Sequence, residues 1–184
     1  EILISISAVS AEGNFTALQD EIDNSEDVLE ITQDYAYDNS TDYELKSGII
    51  VNKSNFTING NGYTIDGANQ TSILHIIGEN ITILNLNFIN GNGFIGGAIY
   101  TESDIILNNI TFTNNTAGFG GAISSKSNII LNNVTFTNNA GNEGGAIYTE
   151  SDIILNNVTF TNNAGNEGGA IYSLGETEIT DCTF

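Results

Sequence analysis

The chain has no proline, methionine, tryptophan or arginine, and its 184 residues include only three lysines, one histidine and one cysteine. Together with 23 acidic residues, this gives a formal net charge of −20 at pH 7. Nucleic acid is excluded as a partner, because binding it requires a basic surface that neutralises phosphates. The same charge excludes attraction to an anionic membrane surface. A single cysteine permits no disulfide within the chain.

Repetition is what the chain has in abundance. The sequence NNVTFTNNAGNEGGAIY occurs at 132–148 and again at 156–172. A step of 24 residues separates the second glycines of the GGAI motif and also the phenylalanines: Gly97, Gly121, Gly145 and Gly169; Phe88, Phe112, Phe136, Phe160 and Phe184. A fixed period of this size predicts a solenoid, in which each repeat buries its apolar face against its neighbours.

Within one repeat the apolar residues alternate as they do in a strand. Ile153 and Leu155 point to one side and Ile154 to the other. In other repeats the Ile154 position holds Thr82 or Glu178, so this column is expected to face solvent. Asn-Asn, Asn-Gly and Gly-Gly pairs supply the corners. We therefore predict an all-β fold, a right-handed single-stranded parallel β-helix with three short strands in each 24-residue coil.

The residues before the repeats have a different pattern. Residues 1–13 are interpreted as a first strand or as the remnant of a secretory signal, since Val9-Ser10-Ala11 resembles a cleavage site. Their apolar run is far shorter than the ~18 residues that span a bilayer. We therefore expect no membrane insertion in this segment.

Residues 14–47 are predicted to form an N-terminal cap of a short helix and strands, because an open coil edge invites aggregation. Phe15, Leu18 and Ile22 share one face of the helix, and Thr16 with Gln19 is expected to form a capping box. Residues 48–184 are predicted to form the β-helix, truncated within a repeat.

Stacking of the coils converts sequence columns into ladders of side chains. Lys126 is expected to lie between Glu102 and Glu150, and Asn128 between Asp104 and Asp152. Asn115, Asn139 and Asn163 are expected to bond along the stack to buried corner carbonyls. The first repeat reads FING and has Gly91 at this position, so the ladder is expected to begin one coil later.

Two residues that often carry chemistry are predicted to be structural. His75 is placed in the inward column of Ile99, although an irregular local register is an alternative. No partner for metal binding occurs at a recognisable spacing from it. Cys182 falls in the inward column of Val158 and is expected to behave as a small core residue.

The pairing of GGAI with FTNN resembles the repeats of chlamydial polymorphic membrane proteins. The order NFTALQDEI, YTIDG and GGAIY, from Asn14 to Phe184, resembles adhesin-like surface proteins of methanogenic archaea. The resemblance implies a secreted, cell-surface, right-handed β-helix used for attachment, with no agreed catalytic residues. The expected partner is thus a glycan or protein on another cell surface, and the expected location is extracellular.

Candidate binding residues follow from the outward columns. Stacked aromatic side chains can hold sugar rings or protein surfaces, and they occur at Tyr100, Tyr148 and Tyr172. A regular threonine array that could order water, as in an ice-binding protein, occurs at Thr111, Thr113, Thr135, Thr137, Thr159 and Thr161. Glu143 and Glu167 are weak candidates for a cation site. We predict no metal, no cofactor and no catalytic residue.

An enzyme is the main alternative, because β-helices also carry polysaccharide lyases and glycoside hydrolases. Its candidate residues are Asp66, Glu79, Glu102 and Asp104, which show no convergence in the sequence. Asn-x-Thr sequons at Asn109, Asn133 and Asn157 suit an extracellular protein. Because adjacent coils are only about 5 Å apart, glycans at all three sites would collide.

Overall fold

Successive repeats lie directly on one another in a computed structural model, which describes residues 13–184. Ile105 pairs with Ile129 and Ile129 with Ile153, each one repeat further along the chain. All strands that pair in this range are parallel, and they form a solenoid of about 7 coils. The 24-residue register predicted from glycine and phenylalanine is confirmed. The interpretation of residues 1–13 falls on residues outside the described range, except for Gly13.

The strands belong to three sheets. The first contains β1 (Gly13–Asn14), β2 (Val28–Glu30), β3 (Tyr35–Ala36), β5 (Phe56–Asn59), β6 (Thr64–Asp66), β8 (Ile81–Ile89), β10 (Ile105–Thr113), β13 (Ile129–Thr137), β16 (Ile153–Thr161) and β19 (Thr177–Thr180). The second contains β4 (Ile49–Val51), β7 (Leu74–Ile76), β9 (Ile99–Thr101), β12 (Ile123–Ser125), β15 (Ile147–Thr149) and β18 (Ile171–Ser173). The third contains β11 (Thr116–Phe119), β14 (Ala140–Glu143) and β17 (Ala164–Glu167).

Each regular coil has one long strand and two short ones, where three short strands were expected. The nine residues of β13 continue through Asn133, whose φ is 55°. Asparagine tolerates this left-handed conformation, so the backbone bends at the corner while its pairing continues on both sides. Asn85, Asn109 and Asn157 make the same bend in the other long strands. Alternation in the sequence could not distinguish a bend from a break.

The core consists of columns of apolar side chains that run along the solenoid axis. Ile129, Leu131, Val134 and Phe136 are all buried, as are their counterparts in the coils on either side. From Phe88 to Phe184, each phenylalanine ring stacks face to face on the next, with 4.9–5.2 Å between the ring centroids. The Ile154 column faces outward as predicted, with Ile106 39% exposed. Cys182 packs against the core, as its position in the repeat predicts.

The two glycines of GGAI have different roles. Gly144 has a φ of 69°, which a residue with a Cβ rarely adopts. Gly121 lies so close to the next coil that an added Cβ would be 2.1 Å from the carbonyl oxygen of Gly145. The motif therefore combines a left-handed corner with a close contact between backbones.

A buried asparagine ladder holds the corner after each long strand. Asn139 Nδ2 donates to the carbonyl oxygen of Phe112 at 3.0 Å and to Asn163 Oδ1 at 2.9 Å. Its own Oδ1 accepts from the backbone N–H and from Nδ2 of Asn115, both at 3.0 Å. The backbone N–H of Gly91 donates to Asn115 Oδ1 at 2.7 Å. Both predictions about this ladder are confirmed, including its start one coil after FING.

An α-helix, α1 (Phe15–Asn24), packs on the N-terminal coils, followed later by a 3-10 helix at Tyr43–Leu45. Phe15, Leu18 and Ile22 are buried on one face, as expected. The expected capping box is wrong: the N-cap is Asn14, whose side chain accepts from the N–H of Ala17 at 2.8 Å. Gln19 instead bonds to the backbone of Ile50 through both its amide atoms, at 2.7 and 2.9 Å. The helix thereby covers the edge of β4.

Asp42 also caps the N-terminus of α1, although it lies 26 and 27 residues after Thr16 and Phe15 in the sequence. Its buried carboxylate accepts from the N–H groups of Phe15, Thr16 and Asp38 and from the hydroxyl of Thr16, at 2.7–3.0 Å. Burial raises the pKa of this carboxyl, but the hydrogen bonds outweigh that effect and lower it below its ordinary value. Asp42 thus binds the start of α1 as a carboxylate.

The first sheet continues across residue 47, because β2 pairs with β5 and β3 with β6. The division of the chain at residues 13 and 47 stays a prediction.

Candidate functional site

One outward column of the second sheet is unusually rich in aromatic rings. The register aligns His75, Tyr100, Ser124, Tyr148 and Tyr172 in successive coils. We call these five residues the aromatic column. Its rings are half-buried. The His75 and Tyr100 rings lie 4.8 Å apart, and the Tyr148 and Tyr172 rings stack at 5.5 Å.

The expected inward placement of His75 is wrong. Leu74 pairs with Ile99 and is buried, whereas His75 pairs with Tyr100 and its side chain is 30% exposed. The coil between them is one residue longer than the repeat, so counting back by the regular step selects the wrong neighbour. In a strand, a shift of one residue moves a side chain to the opposite face.

Glu102 collects three polar groups at one carboxylate oxygen. Tyr100 donates its hydroxyl to Glu102 Oε1 at 2.9 Å, and Lys126 Nζ lies 3.7 Å from the same atom. His75 Nε2 is 3.8 Å away, which is too far for a hydrogen bond. Lys126 also lies over the Tyr100 ring, 5.4 Å from its centroid. The predicted contact of Lys126 with Glu102 is confirmed, whereas the ion pairs of the described residues do not include Lys126 with Glu150.

These contacts set the protonation of the cluster. The hydrogen bond from Tyr100 lowers the pKa of Glu102, and the charge of Lys126 lowers it further. Burial raises the pKa of Tyr100; its contact with Lys126 opposes this shift, and Glu102 adds to it. At neutral pH the cluster therefore holds a carboxylate and a protonated phenol.

Ser124 interrupts the aromatic column and leaves a hollow of about 200 Å³. Tyr100 and Tyr148 form its two ends, Ile95 and Phe119 one side, and Lys126 and Glu150 the other. Ser124 is only 3% exposed and lies at the bottom. Phe119 packs edge-on against Tyr148 at 5.4 Å, which fixes that ring. We call this hollow the Ser124 slot.

A larger hollow of about 410 Å³ adjoins the N-terminal end of the column. His75, Tyr100, Lys46 and Phe94 are among the residues that line it. Phe94 is 75% exposed and packs edge-on against Phe119 at 5.7 Å. The aromatic surface therefore extends sideways beyond the column itself.

The ladder of Asp104, Asn128 and Asp152 has a structural explanation. Asp104 Oδ1 accepts from the N–H of Asn128 at 2.9 Å, and Asn128 Oδ1 from that of Asp152 at 3.3 Å. Each side chain thus caps the corner of the next coil. Glu143 and Glu167 are paired neighbours in β14 and β17. Among residues 13–184, three or more acidic, histidine or cysteine side chains nowhere form a group suited to a metal ion.

The four carboxylates of the enzyme alternative fall in two places. Glu79, Glu102 and Asp104 line one open hollow of about 330 Å³. Asp66 lies elsewhere, where its Oδ1 accepts from the N–H of Ala68 and from Asn90 Nδ2 at 2.7 and 3.1 Å. The structure thus brings three of the four together at a surface corner.

The threonine columns lie on the outward face of the first sheet. Thr111, Thr135 and Thr159 pair across adjacent strands, as do Thr113, Thr137 and Thr161. At the N-terminal end the partners are Asn87 and Ile89. The six threonines are half-buried or exposed, and their role stays a prediction.

The sequon asparagines already use their amide groups within the fold. Asn133 Nδ2 donates to Asn109 Oδ1 at 3.1 Å, and Asn157 Nδ2 to Asn133 Oδ1 at 2.8 Å. Asn109 Nδ2 donates to Asn85 in the same way. A glycan attached to one of these nitrogens would replace one of its two N–H hydrogens, so the ladder bond would depend on the remaining one.

Sequence reasoning recognised the tyrosines but missed their neighbours. The regular step predicts the wrong column for His75, and it does not identify Ile95, Phe94 and Phe119 as neighbours of the tyrosines. The sequence does contain a signal for the position of His75. Leu74 of LHI aligns with Ile99 of GGAI, and this step is one residue longer than the regular repeat.

A family model described as right handed beta helix region matches residues 11–184. The chain therefore belongs to the right-handed β-helix family, and the predicted fold class is confirmed. Neither the curated proteins nor the solved structures gave a match. In the described part of the chain, every helix is too short or too polar to cross a membrane.

Proposed function

We propose that this β-helix is a non-catalytic, adhesin-like attachment module that binds a glycan on another cell surface through the aromatic column. The observation that carries the proposal is the line of half-buried rings at His75, Tyr100, Tyr148 and Tyr172. Aromatic faces and edges contact the apolar side of a sugar ring, and the polar groups around them bond to its hydroxyls.

The solenoid gives this surface its extended shape. The rings lie in one line along the axis, with a gap at the coil of Ser124, so a linear glycan can contact several of them at once. Each contact is weak, and their linkage raises the overall affinity. A protein surface is the other partner that the column suits. An extracellular, cell-surface location belongs to the same proposal. A low affinity for polyanions does too, because the chain's net charge of −20 repels them.

The test is retention on immobilised polysaccharides and cell-surface glycans, with the release of sugar ends measured in the same samples. We expect retention without release, unchanged by a chelator. A variant with Tyr100, Tyr148 and Tyr172 all replaced by leucine should lose retention. The matched control, Thr135→Val with Thr137→Val on the first sheet, should keep it. Equal retention of both variants would contradict the proposal, and loss of retention with chelator would assign binding to a cation at Glu143 and Glu167.

A polysaccharide lyase or glycoside hydrolase is the second candidate, and the Glu102 cluster favours it. The only histidine, a lysine and a tyrosine converge there on one carboxylate oxygen within 3.8 Å. Acid–base catalysis requires such groups within reach of a substrate proton. Released sugar ends that disappear in Glu102→Gln, but persist in the exposed control Glu44→Gln, would establish the enzyme.

A further inference from the structure

The geometry points to the Ser124 slot as the subsite that holds one uncharged sugar ring between Tyr100 and Tyr148. This inference rests on the proposed function and names the ligand class and the position of its main contact. It assigns the principal contact to the one coil where the aromatic column lacks a ring.

The dimensions of the slot favour a single inserted ring. Tyr100 and Tyr148 belong to alternate coils, so their rings are about 10 Å apart at the usual spacing of paired strands. Stacked rings lie roughly 5 Å apart, as Tyr148 and Tyr172 do at 5.5 Å. A flat ring at the level of Ser124 would therefore lie between the two tyrosines, where it displaces the exposed side chain of Lys126 from its position over the Tyr100 ring.

The outer face of each tyrosine is already covered. His75 packs on Tyr100 at 4.8 Å, and Tyr172 stacks on Tyr148 at 5.5 Å. Phe119 packs edge-on against Tyr148, with 5.4 Å between the ring centroids. These contacts hold the two rings in place before a ligand binds, which reduces the entropy lost on binding.

The polar groups at the rim match hydroxyls. The ammonium group of Lys126 can donate a hydrogen bond to a ligand hydroxyl and the carboxylate of Glu150 can accept one, and both side chains are exposed. A sugar ring has an apolar face and polar edges. The slot complements both, because aromatic rings enclose it and a few polar groups lie at its rim.

The charges select against an ionised ligand. Lys126 lies 3.7 Å from Glu102, so its charge is already opposed, and Glu150 adds a second carboxylate at the rim. An acidic sugar would meet more negative than positive charge there. A cationic ligand would be repelled by the ammonium group of Lys126 in the lining of the same slot.

Ser124→Tyr is the decisive variant. It gives this coil the tyrosine that the neighbouring coils carry, so the ring should stack between Tyr100 and Tyr148 and fill the slot. Retention of neutral oligosaccharides built from glucose, mannose, galactose or N-acetylglucosamine should fall by about tenfold or more, as expected when two stacking contacts are lost. Ser124→Ala leaves the slot open and should bind like the original chain. Circular dichroism and thermal unfolding check that both variants fold.

A second pair of variants separates the slot from the rest of the column. Tyr148→Leu removes one wall of the slot and should weaken binding by about threefold, because one of the two stacking contacts remains. Tyr172→Leu removes an equivalent ring outside the slot and should have a much smaller effect. The readout is the dissociation constant for the oligosaccharide that the original chain retains best, compared with that for oligogalacturonate as the charged probe.

The outcomes distinguish this inference from the proposed function. Binding that survives Ser124→Tyr, or equal losses in Tyr148→Leu and Tyr172→Leu, would overturn the slot and leave glycan binding along the column intact. Stronger binding of oligogalacturonate would overturn the assignment to uncharged sugars. If the original chain retains none of these sugars, the proposed function fails, and the slot inference fails with it.

Discussion

Replacing Asn139 by alanine tests the physical basis of the stacked coils. The Asn139 side chain is 1% exposed and takes part in four hydrogen bonds to three residues, Phe112, Asn115 and Asn163. Alanine removes all four and fills little of the space. The backbone N–H of Asn115 bonds to Asn139 Oδ1, and one of the two Asn115 Nδ2 protons does so as well.

The magnitude follows from the two N–H groups that lose their acceptor. Each buried, unsatisfied group costs about 1–3 kcal/mol, so Asn139→Ala should lower the free energy of unfolding by roughly 2–6 kcal/mol. The carbonyl oxygen of Phe112 loses a donor too, which places the effect above the lower limit. Asn142→Ala is the matched control, because the Asn142 side chain is exposed and, among residues 13–184, forms a hydrogen bond only with the side chain of Asn166. It should cost under about 1 kcal/mol.

The assay is urea unfolding followed by circular dichroism and by tyrosine fluorescence. Repeat proteins can unfold in parts, so the two signals must coincide before a free energy is extracted. Coincident curves with unequal slopes would point to a changed denatured state instead. A loss for Asn139→Ala no larger than that for Asn142→Ala would refute the argument that the buried ladder stabilises the corners.

Three further predictions concern other positions. Gly121→Ala should lower the free energy of unfolding by roughly 2–4 kcal/mol, because its Cβ would be 2.1 Å from a backbone oxygen. The control is Gly169→Ala, whose Cβ meets no atom within 4 Å. Comparable thermal midpoints for the two variants would contradict this prediction. Asn133→Ala should cost about 1–2 kcal/mol, since φ is 55° there, and Asn133→Gly should cost less in the same unfolding assay. Because the pKa of Asp42 is lower in the fold than in the unfolded chain, its carboxylate stabilises the fold above the unfolded value, and this contribution is lost as pH falls through the folded value. The stability deficit of Asp42→Asn should therefore be largest near neutral pH and shrink in acid; a deficit that is independent of pH would contradict it.

The fold was predictable because the repeat is nearly exact. Equal spacing of Gly97, Gly121 and Gly145 fixes which residues stack, and alternation around Ile154 fixes which side is the core. Where the spacing changes, the same reasoning failed. His75 lies in a coil that is one residue longer, and that single residue reversed its predicted face.

The helix cap shows a different limit. Thr16 and Gln19 have the spacing of a capping box, but the chain offers both side chains better partners at Asp42 and Ile50. These partners are more than 25 residues away in sequence. Local patterns do not contain such tertiary contacts, and here they determine the outcome.

The candidate site was predictable only as single columns. Tyr100, Tyr148 and Tyr172 follow from the repeat, and Lys126 beside Glu102 follows from stacking. The convergence of His75, Tyr100 and Lys126 on Glu102 requires knowing which columns are neighbours across a corner. The depth of the Ser124 slot likewise depends on the positions of Phe119, the last residue of β11, and of Ile95, which pairs with it.

Retention on immobilised neutral polysaccharides, with released sugar ends counted in the same samples, tests the central claim most directly. The account predicts that the original chain is retained, releases no sugar ends, and loses retention when Tyr100, Tyr148 and Tyr172 are replaced by leucine. Release of sugar ends that depends on Glu102 would contradict it and identify an enzyme, and retention that is indifferent to the three tyrosines would remove the aromatic column as the binding surface.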